Sequence, residues 1–154
     1  MGQAGKEMIK NLLSKHPVIF LDTMVFIYHF EGHPDYVGLT KEIFRHVEKG
    51  ANNGLTSVIS ITEILARPYA LKNERAIQDY HINLRNFPNL KILDINYDTS
   101  DIAASLSAKY NLDLPDSLQI ASALSNYADI FFTNDKDLEK IEEIKVVILE
   151  DLLR

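Results

Sequence analysis

Short runs of consecutive apolar residues, mostly β-branched or aromatic, recur along this chain and alternate with segments of helical spacing. That alternation restricts the fold more than any other feature. The runs fall at residues 18–21, 55–59, 90–95, 130–133 and 146–149. Each is nearly continuous, as expected of a strand covered on both faces. Between them, Leu39, Ile43, Phe44 and Val47 recur at intervals that put them on one helix face, as do Ile77, Tyr80, Leu84 and Phe87. Ile102, Ala103, Leu106 and Tyr110 form a third such set, and Leu118, Ala121 and Leu124 a fourth. The first three connections, roughly 30 residues each, leave room for the right-handed crossovers that parallel strands need, while the last, 134–145, is near the lower limit. The pattern predicts a three-layer α/β/α sandwich around a central parallel sheet of about five strands.

A chain of 154 residues without internal repeats or a Pro/Gly/Ser linker is expected to form one domain over 1–154, with its core at 18–149 and residues 1–15 as an N-terminal extension. The absence of cysteine excludes disulfides, thiolate zinc sites and thiol catalysis. No apolar run approaches the ~18 residues of a membrane span and no signal-peptide core is present, so a cytoplasmic protein without a membrane partner is expected. The N-terminal Met-Gly carries Lys6 where a myristoylation signal requires Ser or Thr. A net charge of -6 argues against coating nucleic acid by bulk attraction.

In an open parallel sheet, function collects beyond the C-terminal ends of the strands, where the strand order reverses. Asp22 follows the first run, Ser60 to Glu63 follow the second, and Asp135 and Asp137 follow the fourth. Asp116 opens the helix that leads into the fourth strand. Each has an ordinary structural reading. Asp22 and Asp135 suit helix caps, Ser60 with Glu63 fits a capping box, and Asp116 after Pro115 suits a first helical turn. Jointly they mean more: carboxylates gathered at one sheet edge repel one another unless a cation sits between them. An oxygen-only set without cysteine or a well-placed histidine suits Mg²⁺ or Mn²⁺, and such ions commonly serve phosphate chemistry.

The succession Val-Ile-Phe-Leu-Asp22-Thr-Met-Val-Phe-Ile-Tyr, Ser-Ile-Thr-Glu63-Ile-Leu, Leu-Pro-Asp116-Ser-Leu-Gln-Ile-Ala-Ser-Ala and Phe-Thr-Asn-Asp135-Lys-Asp-Leu resembles the PIN-domain nucleases. It is most similar to the small branch that includes VapC-like toxins of toxin-antitoxin pairs, over about residues 18–149. The resemblance implies that Asp22, Glu63, Asp116 and Asp135 form a catalytic and metal-binding quartet for one or two Mg²⁺ or Mn²⁺ ions, with Asp137 as an outer member. It implies hydrolysis of RNA phosphodiester bonds, an antitoxin partner and a homodimer. Thr23, Thr133 and Asn134 would support the acids by hydrogen bonds. Where the family frequently has Asn or Ser two positions after the first acid, this chain has Met24. A thioether hydrogen-bonds weakly, so lowered activity, or a degenerate domain kept as an RNA-binding or oligomeric scaffold, is the competing reading.

Residues 67–91 hold five basic side chains, Arg67, Lys72, Arg75, Arg85 and Lys91, against two acidic ones, a local excess in an acidic chain. They are solvated helix residues or an RNA-backbone contact beside the acids. His29 and His33 have zinc-helix spacing, yet Gly32 and Pro34 end the helix between them. A third class, the phospho-acceptor receiver domain, requires an acid after the third strand, where Asp94 stands, and a lysine near the end of the fifth. Lys145 precedes the fifth run, so it is out of place.

Overall fold

The computed structural model describes residues 2–153. The chain begins with α1 (Gln3–Lys15), β1 (Val18–Leu21), α2 (Thr23–Glu31), α3 (Val37–Glu48) and β2 (Asn53–Ser57). It continues through α4 (Val58–Ala70), α5 (Glu74–Arg85), β3 (Leu90–Leu93), α6 (Tyr97–Tyr110) and α7 (Leu114–Ser125). β4 (Ile130–Thr133), a 3-10 turn (Lys136–Lys140), β5 (Lys145–Ile148) and a second 3-10 turn (Leu149–Leu153) complete it.

All the strand pairings are parallel, in the order β3-β2-β1-β4-β5. The central strands have both faces buried, which explains their unbroken apolar runs. On β1, Ile19 and Leu21 enter one core while Phe20 enters the other, and on β4 Ile130 and Phe132 oppose Phe131 in the same way. Phe20 and Phe131 stack at 5.1 Å with their rings 7° apart, joining β1 to β4 on the face covered by α6 and α7. The sheet order also excludes the receiver reading, because a flavodoxin-like receiver has the order 2-1-3-4-5 with its first and third strands adjacent. Here β3 is an edge strand and β2 separates it from β1.

The boundaries differ from expectation in three places. β2 ends at Ser57 rather than at Ile59, because the Ser57 hydroxyl accepts from the Ile59 N–H and starts α4 there. Ser60 is therefore an internal helix residue and no capping box forms. β3 stops at Leu93, and β5 runs one residue earlier than the apolar run suggests. The N-terminal extension is helical and packed over its described residues. Its residues 3–15 form α1, whose Ile9 and Leu13 are fully buried with Phe44 and Val47 of α3, and Leu152 joins the same core from the other end.

Candidate active site

The strand order reverses between β1 and β4, whose C-terminal ends lie side by side. A crevice at such a reversal is where a doubly wound sheet holds ligands. A cavity of about 540 Å³ opens there, lined among others by Asp22, Glu63, Asp116 and Asp135 together with Thr23 and Thr133. The four acids that the sequence singled out are thus brought to one cavity from different elements. Asp22 follows β1 and caps α2, Glu63 projects from the second turn of α4, Asp116 lies in the first turn of α7, and Asp135 caps the 3-10 turn after β4. The capping readings hold for Asp22 and Asp135 alongside the site reading. The cap of α7 is Asp113, whose carboxylate accepts from the Asp116 N–H.

Asp22 is the buried centre, 8 % exposed. Its Oδ1 accepts from the Thr23 N–H at 2.8 Å and its Oδ2 from the Thr133 hydroxyl at 2.7 Å. Burial pushes the Asp22 carboxyl above the ordinary range; these hydrogen bonds oppose the shift and the charge of Glu63 adds to it. Thr133 also accepts from the Asp135 N–H at 3.1 Å, so one hydroxyl ties the acids of β1 and β4 together. The Thr23 hydroxyl donates to Glu63 Oε1 at 2.7 Å. Asp116 is pushed up to about 7, first by burial and then by the charges of Asp113, Asp22 and Asp135. The acids therefore sense one another across the cavity.

Asn134 lines the cavity, but its bonds run elsewhere: it donates to the Tyr28 hydroxyl and accepts from the Glu150 N–H. Asp137 is exposed and stands outside the cavity lining, touching the site only through its N–H bond to Asp135. Met24 is part of the wall. A second, more apolar groove of about 580 Å³ adjoins the first, sharing Met24, Ile27 and Glu63 and extending past Arg67 to Leu71 and Tyr80. Of the five basic residues, only Arg67 lines it. Lys72 and Arg75 are exposed around the α4–α5 turn. Arg85 ends α5 and Lys91 lies within the edge strand β3. Gln119, Ser57 and Thr56 have no role in the sequence reading, and Ser60 has only that of a cap. All four are buried beneath the acids and hydrogen-bonded to one another.

Among the described residues, no three carboxylate or imidazole side chains converge into a ready-made cage. The carboxylates that line the cavity would suit a hydrated Mg²⁺ or Mn²⁺, which keeps several waters and takes only one or two carboxylates directly. The donors are oxygen throughout, and Oδ2 of Asp22 keeps a free lone pair after its single hydrogen bond.

A doubly wound parallel sheet with acids gathered at its switch point places the chain among the α/β proteins whose ligand crevice lies beyond the C-terminal strand ends. The PIN domain family model matches residues 19–144, and the chain belongs to that family. No curated protein matches the sequence significantly. Solved structures do. The chain is similar to a toxin-antitoxin complex from Klebsiella pneumoniae (23% identity, TM-score 0.65), covering 85% of this chain and 97% of that one. It is also similar to VapBC2 from Rickettsia felis bound to a DNA fragment from its promoter (20%, TM-score 0.70), with coverage of 85% and 98%. DNA-bound VapBC from Salmonella typhimurium matches at 18% identity and TM-score 0.63, with coverage of 85% and 97%. At these identities the likeness establishes the fold.

Proposed function

We propose that this protein is a Mg²⁺- or Mn²⁺-dependent endoribonuclease and the toxin of a toxin-antitoxin pair. The observation that carries this reading is the convergence of Asp22, Glu63, Asp116 and Asp135 on one cavity at the β1/β4 switch point. When bound, the cation supplies positive charge that acidifies water and stabilises the charge developing on a phosphodiester in the transition state. The chain's own residues do the rest. Thr133 and the Thr23 N–H hold Asp22, and the Thr23 hydroxyl holds Glu63. Asp116, protonated in part near neutrality without a cation, releases its proton as positive charge enters the cavity.

RNA is the substrate class that the family resemblance supports. Arg67, one helical turn beyond Glu63 on the wall of the adjoining groove, would meet the phosphate backbone leaving the cavity. The likeness to toxin-antitoxin complexes supports an antitoxin partner, and assembly as a homodimer belongs to the same reading. The presence of all four acids on the cavity wall supports an active site over a degenerate scaffold.

The test is substitution of the acids. Asp22→Ala and Asp116→Asn are each expected to lower the rate of RNA cleavage by about 10³-fold, about 4 kcal/mol of transition-state stabilisation, with the circular dichroism of the wild type retained. Cleavage by both folded variants at a rate near that of the wild type would overturn the reading.

A further inference from the structure

Gln119 lies one turn beyond Asp116 on α7 and is 1 % exposed, an amide placed where the surrounding sequence is apolar. It does not line the cavity, and its neighbours fix which way round its amide sits. The Ser57 oxygen accepts from the Ile59 N–H, so the hydroxyl hydrogen is free to be donated to Gln119 Oε1. With that oxygen held, Nε2 faces the acids. It donates to Ser60 Oγ at 2.7 Å and to Asp22 Oδ1 at 3.3 Å. Ser60 in turn lies 3.1 Å from the Thr23 hydroxyl, whose own hydrogen goes to Glu63. Thr56 closes the network from below, its one hydroxyl hydrogen shared between Ser60 Oγ and the Leu21 carbonyl at the end of β1.

The lone pairs of Asp22 can be counted. A carboxylate offers about four acceptor positions, two on each oxygen. Oδ1 receives the Thr23 N–H and the Gln119 amide, and Oδ2 receives only the Thr133 hydroxyl. Resting on the metal-dependent reading above, we propose that Gln119 is a positioning residue of the acidic site. Its oriented amide fills Oδ1 of Asp22, leaves Oδ2 as the one oxygen of that side chain free to ligate a cation, and through Ser60 and Thr23 holds Glu63 in fixed relation to Asp22. The same helix carries Asp116 three residues earlier. One buried amide therefore sets three acids, from β1, α4 and α7, against each other.

A Mn²⁺ titration of the full chain without RNA, read by the electron paramagnetic resonance of free Mn²⁺, tests this on the wild type, Gln119→Met and Ser57→Ala. Methionine keeps the length of the side chain and removes both hydrogen-bonding ends. Ser57→Ala leaves the bonds of Asp22 and Glu63 in place and frees the amide to turn over, and the loss of the α4 cap that it also brings is read separately as a lower melting temperature. The Mn²⁺ dissociation constant is expected to rise by about tenfold or more in Gln119→Met, the usual effect of losing a ligand-orienting partner, and severalfold in Ser57→Ala. A purely structural role would lower the melting temperature of the metal-free variants and leave Mn²⁺ affinity unchanged. Should Gln119→Met fail to fold, Ser57→Ala decides alone. Binding within about twofold of the wild type in the folded variants overturns the proposal and leaves the metal reading standing. A wild type that binds no Mn²⁺ overturns that reading and the proposal with it.

Discussion

Asp116 links the site to pH. In the unfolded chain its carboxyl ionises near the ordinary 3.8, and in the folded protein near 7. Between those values the folded state holds more protons than the unfolded one, so this group lowers stability as pH rises through the window and adds no further change above it. Asp116→Asn removes the carboxyl and with it that loss. Because the side chain is half-exposed, solvent screening limits the gain to on the order of 1 kcal/mol at pH 8 without metal. For a chain of this size that is a rise in melting temperature of about 2–4 °C, absent at pH 4 and measurable by thermal denaturation in EDTA. Thr133→Val tests the bond between the β1 and β4 acids. It strips a partner from Asp22 and from the Asp135 N–H, and is expected to cost about 1–3 kcal/mol in denaturant unfolding.

Among the elements, α1 contributes more than its sequence suggests. Leu13 is 2 % exposed in the core shared with α3, and Leu13→Ala is expected to cost about 2–5 kcal/mol, seen as a melting temperature lower by roughly 5–15 °C. Its legible signal was short: Met8, Ile9, Leu12 and Leu13 keep helical spacing for barely two turns, with no side-chain cap ahead of them. The parallel sheet was legible because Ile19, Phe20, Leu21 and their counterparts on β4 must serve two cores at once, and only unbroken apolar runs do so. The end of β2 was not. Val58 and Ile59 continue the apolar run of the strand, and only the Ser57 cap turns them into helix. Asp22 and Asp135 were legible because each directly follows an apolar strand run, whereas Glu63 and Asp116 sit within helices and were legible through the succession of motifs. The bonds that orient them were not, since Gln119 reaches Asp22 and Ser57 across most of the domain and nothing local distinguishes it from a packing error.

The charge of the protein as a whole follows from the same site. The net charge of -6 is distributed unevenly: residues 92–154 carry 13 acidic and 5 basic side chains, while 67–91 carry a surplus of three basic ones. Without a cation the cavity repels a phosphate backbone, so RNA binding by the metal-free protein is expected to be weak and to strengthen when a divalent ion is added to the wild type with a hydrolysis-resistant RNA analogue. A fluorescence anisotropy titration with and without Mn²⁺ reads this directly. The central claim is that the four acids use a divalent cation to hydrolyse RNA. Incubating single-stranded RNA with the purified wild-type chain, in Mn²⁺ and in excess EDTA, tests it most directly. Cleavage that requires Mn²⁺ and stops in EDTA is the predicted result, and cleavage that continues undiminished in EDTA would contradict it.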